Sequence, residues 1–291
     1  MNKAYKQKTV ARTSNTGKER GMGEFFKVVM ALLSVSAWSV CWAGSPLSVS
    51  DITEKMMLNI HPNRSTSFKV EVFICQSTTT PCEAEQGGEQ LTRLNVYVSL
   101  VNSEQSEPVN TLIEFLYPEG IRGQLILHEQ KRIWMYFPGT QNPIRIPPAQ
   151  NILGDVDVGS ILDIDYRRNY QPRLLEDNDK ELPGTYKVEY VDNSGDMQYY
   201  RVDLWIDKEL LVPRRAYYYS ESGMLLRKSE FRDIGKLGSR RTYRRVDTSS
   251  MQRGKNRYTS IIYVSEPGVQ LPVSFFRSNR LKSFRGLASD G

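Results

Sequence analysis

A chain of 291 residues with a formal charge of +6 has room for one large β domain or two modest ones, and its charge first suggests a nucleic-acid partner. The distribution removes that reading. Residues 1–43 hold seven Lys/Arg and two Asp/Glu, which leaves 32 basic and 31 acidic residues in the remainder, too even a balance to steer it toward a phosphate backbone.

The basic excess belongs to a targeting segment. Lys18, Arg20 and Lys27 precede an apolar run over 28–40, whose 13 residues fall short of a membrane span and suit the core of a signal peptide. Small residues at Cys41 and Ala43 place the expected cut after Ala43, so 44–291 is read as one exported domain in the periplasm. Met22 is an alternative start. An uncleaved anchor and lipid attachment at Cys41 are the competing readings, the second disfavoured by Val40 where Gly or Ala is expected.

The next signal, "SDITEKMMLNI", predicts a helix over 50–60, with a Ser/Asp cap, Ile52 and Met56 four apart, and Pro62 as the stop. Alternation with period two follows. "SFKVEVFI" sets Phe68, Val70, Val72 and Ile74 on one face. "LNVYVSL" does the same with Leu94, Val96, Val98 and Leu100. Between them Cys75 and Cys82, separated by six residues across a Thr/Pro turn, read as a disulfide clipping a hairpin tip. A reactive pair would more often be spaced C-x-x-C and would need a depressed thiol pKa. Further strands are expected at "TLIEFLY", "RGQLILHE" and "RIWMYFP". A second short helix is expected within "VGSILDIDYRRNY". Strands then resume at "GTYKVEYVD", "YYRVDLWID", "PRRAYYYS", "LLRKSEFRDI" and "NRYTSIIYV", with a last one near Phe275. The links "SGD", "SESG" and "GKLG" are turn-like. About ten strands in a sequential antiparallel meander, with two small helices, predict a mainly β domain: one curved, partly closed sheet with helices across its mouth.

Catalytic signals are sparse. His61 and His128 are the two histidines, and without Cys/His spacing or HExxH no zinc site is expected. A Ser-His-acid triad is geometric and order alone does not exclude it, but no Gly-x-Ser-x-Gly elbow is present. Asp155, Asp157, Asp163 and Asp165 open like a calcium loop. The pattern then fails, with Gly159 at a ligand position and Tyr166 where the closing Glu belongs, so these acids read as solvated loop charges. No Gly-rich phosphate loop follows any strand. The expectation is a non-enzyme without metal or cofactor.

The aromatics point elsewhere. Sixteen Tyr, ten Phe and four Trp sit mostly in strands. Each alone is ordinary β core, yet one sheet with few helices cannot cover two apolar faces, so a concave face is left for a guest. Arg214, Arg215, Arg227, Lys228, Arg232, Arg240, Arg241, Arg244 and Arg245 crowd the last third. Outward strand positions account for most of them; a rim that meets anionic lipid head groups is the sharper reading.

In order, "FLYPEGIRGQLIL", "RIWMYFPGTQNPIRI", "ILGDVDVGSILDIDY" and "YRVDLWIDKELLVPRRAYYYSESGMLLRKSEF" resemble the LolA-like outer-membrane lipoprotein-sorting proteins of Gram-negative bacteria, over about residues 50 to 281. The cysteine segment is not part of that pattern. The resemblance implies a half-open antiparallel β-barrel of about ten to eleven strands, with short helices lidding an apolar cavity. The expected cavity wall is Val70, Val72, Leu94, Val96, Val98, Phe115, Leu125, Leu127, Trp134, Tyr136, Leu204 and Ile206. The expected lid is Ile152, Leu153, Val158, Ile161, Leu162 and Tyr166. The implied cargo is lipoprotein acyl chains or another lipid, with an inner-membrane transporter as donor and an outer-membrane acceptor. A sensor of the same fold that binds an envelope protein is the competing expectation.

Overall fold

A computed structural model describes residues 46–61, 65–76, 90–99, 110–129, 132–147, 151–153, 156–157, 165–195, 197–251 and 257–284, all within the unit Pro46–Gly291. Cys82, Asp155, Asp163, Val158, Ile161 and Leu162 lie outside these residues. Cys75 pairs with Tyr258 one residue before the end of its strand, and its bond to Cys82 stays an expectation.

The first helix, α1 (Val49–Ile60), starts one residue ahead of its predicted position because Ser48 and Asp51 cap each other. The Ser48 hydroxyl accepts from the Asp51 amide, and the Asp51 carboxylate accepts from the Ser48 amide, which satisfies two amides that a helix start leaves orphaned. The Ser48 hydroxyl, donating to the Asp51 carboxylate at 2.6 Å, and then the Ser48 amide hold the Asp51 carboxyl below its usual value. Ile52, Met56 and Met57 recur on one side and are fully buried.

The strands in chain order are β1 (Thr66–Gln76), β2 (Gln90–Ser99), β3 (Asn110–Tyr117), β4 (Leu125–Glu129), β5 (Arg132–Tyr136), β6 (Ile144–Ile146), β7 (Asn151–Leu153) and β8 (Val156–Asp157). A single helical turn, α2 (Tyr166–Asn169), leads into β9 (Tyr170–Glu176), β10 (Thr185–Asp192), β11 (Arg201–Asp207), β12 (Pro213–Tyr219) and β13 (Leu225–Arg232). Then come β14 (Gly235–Leu237), β15 (Arg240–Thr242), β16 (Arg245–Ser250) and β17 (Arg257–Ser265).

Thirteen of the described strands form one antiparallel sheet in the order β6-β5-β4-β3-β2-β1-β17-β16-β13-β12-β11-β10-β9. The strand count exceeds the expected ten or eleven, and the order is not one sequential meander. Two meanders, β1 to β6 and β9 to β13, are joined by the last two long strands. Among the described residues β6 and β9 do not pair with each other, so the sheet stays open.

Alternation along each strand sends side chains to opposite faces. On one face Val70, Val72, Leu94, Val96, Val98, Ile113, Phe115, Ile126, Ile133 and Ile261 form a buried cluster. On the other, Tyr97, Leu112, Leu125, Leu127 and Tyr136 pack under Leu271, Phe276, Leu281 and Phe284 of the C-terminal segment. The strand expected near Phe275 is therefore absent. After Pro272 the chain makes a 3-10 turn at Val273–Phe275, which lets Phe276 bury fully. Glu129 holds this segment, facing Arg277 at 3.3 Å and accepting from the Ser278 amide.

Candidate functional site

The first face carries a second cluster beside the first. Val188, Tyr190, Val202, Leu204, Ile206, Ala216 and Tyr218 of β10 to β12 pack against Ile52, Met56 and Met57 of α1 and against Tyr166 and Tyr170. Thr53 fixes the height of α1 by sharing a 2.9 Å hydrogen bond with the Tyr190 hydroxyl. Burial pushes the Tyr190 and Tyr166 phenols upward, for Tyr166 with neighbouring tyrosines adding to it, so both are neutral donors at any physiological pH.

A cavity of about 60 Å³ lies at the seam between the two clusters, lined by Ile60, Leu204, Tyr218, Phe231, Val246 and Ile261 among others. Its cause is visible in the strand register. Across the sheet Leu204 pairs with Ala216, Ala216 with Ser229, and Ser229 with Thr248. Beyond Leu204 the side chains of that row are small, while Tyr218 and Phe231 stand tall beside it, so a hollow opens next to Ile60 at the end of α1. Ser229 and Thr248 satisfy each other at 2.9 Å on the floor. Arg227 adds a buried guanidinium to the lining, 5.6 Å from the Tyr199 ring centre. Along the other wall Phe231, Tyr243, Tyr263 and Phe68 form successive edge-to-face contacts with centres 4.8 to 6.1 Å apart, the geometry that ring quadrupoles favour.

The ribbon β14–β15 packs beside the first cluster and the end of α1. Leu237 inserts into the first cluster, and Arg240 reaches the end of α1, its Nη1 donating to the Ile60 carbonyl at 2.6 Å. That bond satisfies a carbonyl the helix end leaves orphaned. Arg240 Nη2 also lies 3.7 Å from the buried Glu266 carboxylate, which accepts a 3.0 Å hydrogen bond from Thr66. On the opposite side Asn59 Nδ2 donates to the carbonyls of Leu210 and Leu211.

Several expectations change here. Val70, Val72, Leu94, Val96, Val98 and Phe115 share the inner face, with Leu204 and Ile206 beside them under α1; of these only Leu204 lines the cavity. Leu125, Leu127, Trp134 and Tyr136 lie on the other face, with the C-terminal segment. In "IWMYF" it is Ile133 and Met135 that turn inward. A strand with apolar residues at every position has no phase of its own, and the aromatic pair followed the larger apolar partner. Of the expected lid, Tyr166 reaches the cavity; Ile152 and Leu153 lie in β7, which pairs with β8. The missed element is the ribbon β14–β15, read as a turn. Its signal was the Gly238-Ser239 pair between two short strands, with Gly238 at φ +60°. Among the described residues no helix is long and apolar enough to cross a membrane and no His/Cys/Asp/Glu group has metal-site geometry.

A half-open antiparallel sheet with a small hollow at the seam of its two inner clusters, beside a helix and a short ribbon, is the architecture of the described residues. Solved structures share it. A LolA superfamily protein from Nitrosomonas europaea matches with TM-score 0.66 at 22% identity, covering 80% of this chain and 98% of that one. An outer membrane lipoprotein-sorting protein domain from Vibrio parahaemolyticus matches at 0.66 and 15%, covering 80% and 97%. A DUF1329 family protein from Desulfovibrio piger matches at 0.67 and 20%, with the same two coverages. No curated protein matches. A protein-family model described as an uncharacterized protein matches residues 107–283, and the chain belongs to that family, on a LolA-like fold.

Proposed function

We propose that the protein is a non-catalytic periplasmic carrier that encloses an acyl chain of a lipid or lipoprotein between α1 and the inner face of the sheet. The observation that carries the reading is the register row of small side chains beyond Leu204, which leaves a hollow at the seam of the two inner clusters rather than a filled core. The LolA-like fold supports it.

Hiding an acyl chain from water is worth about 0.8 kcal/mol per methylene, on the order of 12 kcal/mol for sixteen carbons. A membrane shelters the chain equally well, so transfer from an inner-membrane donor to an outer-membrane acceptor needs only small differences. The cavity measures about 60 Å³, whereas pockets for drug-sized ligands hold about 300–1,000 Å³. Loading therefore requires α1 or β14–β15 to lift.

The test is mass spectrometry of an organic extract from protein purified out of the periplasm without detergent. A stoichiometric acylated species is expected. Ser229→Leu, which fills the row, is expected to lose that species while melting cooperatively. An empty extract from folded wild-type protein overturns the reading and favours a protein-binding sensor.

A further inference from the structure

Phe231 is a wall common to two hollows. Behind it lies the cavity at the seam of the two clusters; in front lies an open groove of about 640 Å³ lined by Leu210, Arg214, Arg232, Asp233, Lys236 and Arg241 among others. The cations of this groove are not equivalent. Arg214 faces Asp207 at 2.9 Å and Arg232 faces the buried Asp247 at 3.0 Å. Lys236 and Arg241 are exposed, and neither has a carboxylate partner among the described residues. They are direct cross-strand partners in β14–β15, and like charges placed opposite each other destabilise a ribbon. Among the described residues Asp233 is the one acid in the lining.

The next position of the same ribbon, Leu237, faces the apolar cluster. One element thus presents an apolar side chain to the interior and an unanswered pair of cations to the groove, with one ring between the two spaces. An anion seated between Lys236 and Arg241 would relieve their repulsion and gain charge-assisted hydrogen bonds.

Building on the acyl-chain reading, we propose that the guest is a single-chain amphiphile with an anionic head. The chain passes Phe231 into the cavity, and the head is held in the groove by Lys236 and Arg241. The ribbon that covers the tail then also selects the head.

Titration calorimetry of the purified, delipidated protein with dodecyl phosphate, 1-dodecanol and inorganic phosphate tests this. Dodecyl phosphate is expected to bind about tenfold or more tightly than dodecanol, with an advantage that shrinks as salt rises. In K236E/R241E that ratio is expected to fall to about one by the same reasoning; K236Q/R241Q is the neutral counterpart should the acidic pair disturb the ribbon. Equal binding of the two probes by wild type, or a ratio unchanged in the variants, overturns the proposal and leaves the acyl-chain reading standing. Inorganic phosphate binding as tightly as dodecyl phosphate also overturns it, in favour of a free-anion site. Binding of neither alkyl probe overturns the acyl-chain reading itself.

Discussion

Replacing Gly238 by Ala tests whether the ribbon is locked by the buried carboxylate behind it. A Cβ at this position would lie within 2.3 Å of Glu266 Oε2 and 2.6 Å of its Cδ. A flexible carboxylate normally moves aside at little cost, but the Glu266 side chain is 3% exposed and bound to Thr66. Moving it gives up a hydrogen bond to a charged group, about 1.5–3 kcal/mol. The φ of +60° adds roughly 1–2 kcal/mol for any residue with a Cβ. Gly223→Ala is the control, because its φ is +81° and nothing lies within 4 Å. It carries the backbone cost alone. The two variants should differ by about 2 kcal/mol in urea unfolding, or about 4–8 °C in Tm for a domain of this size. Hydrogen exchange of the ribbon amides should accelerate only in Gly238→Ala. Equal losses in the two variants would refute the idea that Glu266 is held in place.

Arg240→Met should cost about 3–5 kcal/mol because it strands the Glu266 carboxylate, and R240M/E266Q should recover more than half; a double variant no better than the single counts against the pair. Trp134→Ala should leave guest binding intact and speed proteolysis of the C-terminal segment, since Trp134 packs with Phe276 and Leu281; lost binding with an intact segment would return Trp134 to the cavity wall. Burial works against the Asp192 carboxylate, but hydrogen bonds from Ser194, Met197 and Gly195 outweigh it and hold its pKa below 3.8. Its contribution is complete above 3.8 and lost as pH falls through the lowered folded-state value. Asp192→Asn should therefore be less stable at neutral pH and decline less steeply below 3.8. Parallel Tm curves would contradict this.

The fold class was legible because period-two alternation is strong in "SFKVEVFI" and "LNVYVSL", of which Phe68, Val70, Val72, Leu94, Val96 and Val98 share one buried cluster. The helix over 50–60 was legible from its cap. What failed was phase and pairing. "IWMYF" and "LILHE" are apolar on both sides, and the tail that covers their outer face comes from residues 271–284, too distant in sequence for any local signal. The junction of β1 with β17 is equally non-local. The hollow itself arises from Ala216, Ser229 and Thr248 standing in register across three strands, and none of the three is unusual within its own strand. The basic crowd in the last third was visible, but five of its nine members face an acid, as in Arg215 with Glu230 at 2.7 Å. Only the pairing of β14 with β15 singles out Lys236 and Arg241.

Chain length offers a sharper test of how a guest gets in. If α1 lifts, Ile52, Met56 and Met57 leave their buried positions, and three such side chains are worth about 5–9 kcal/mol at 1.5–3 each. An entering alkyl chain returns about 0.8 kcal/mol per methylene, so roughly six to eleven methylenes are needed merely to balance the displaced helix. Alkyl phosphates should therefore show almost no binding at about six carbons, a threshold near ten, and rising affinity beyond it. Below the threshold the cover stays down; far above it release would be slow. A carrier that gives up its cargo works best just past the balance point. A smooth rise in affinity from the shortest chains, without a threshold, would show that the guest displaces nothing and that α1 is part of the fixed core.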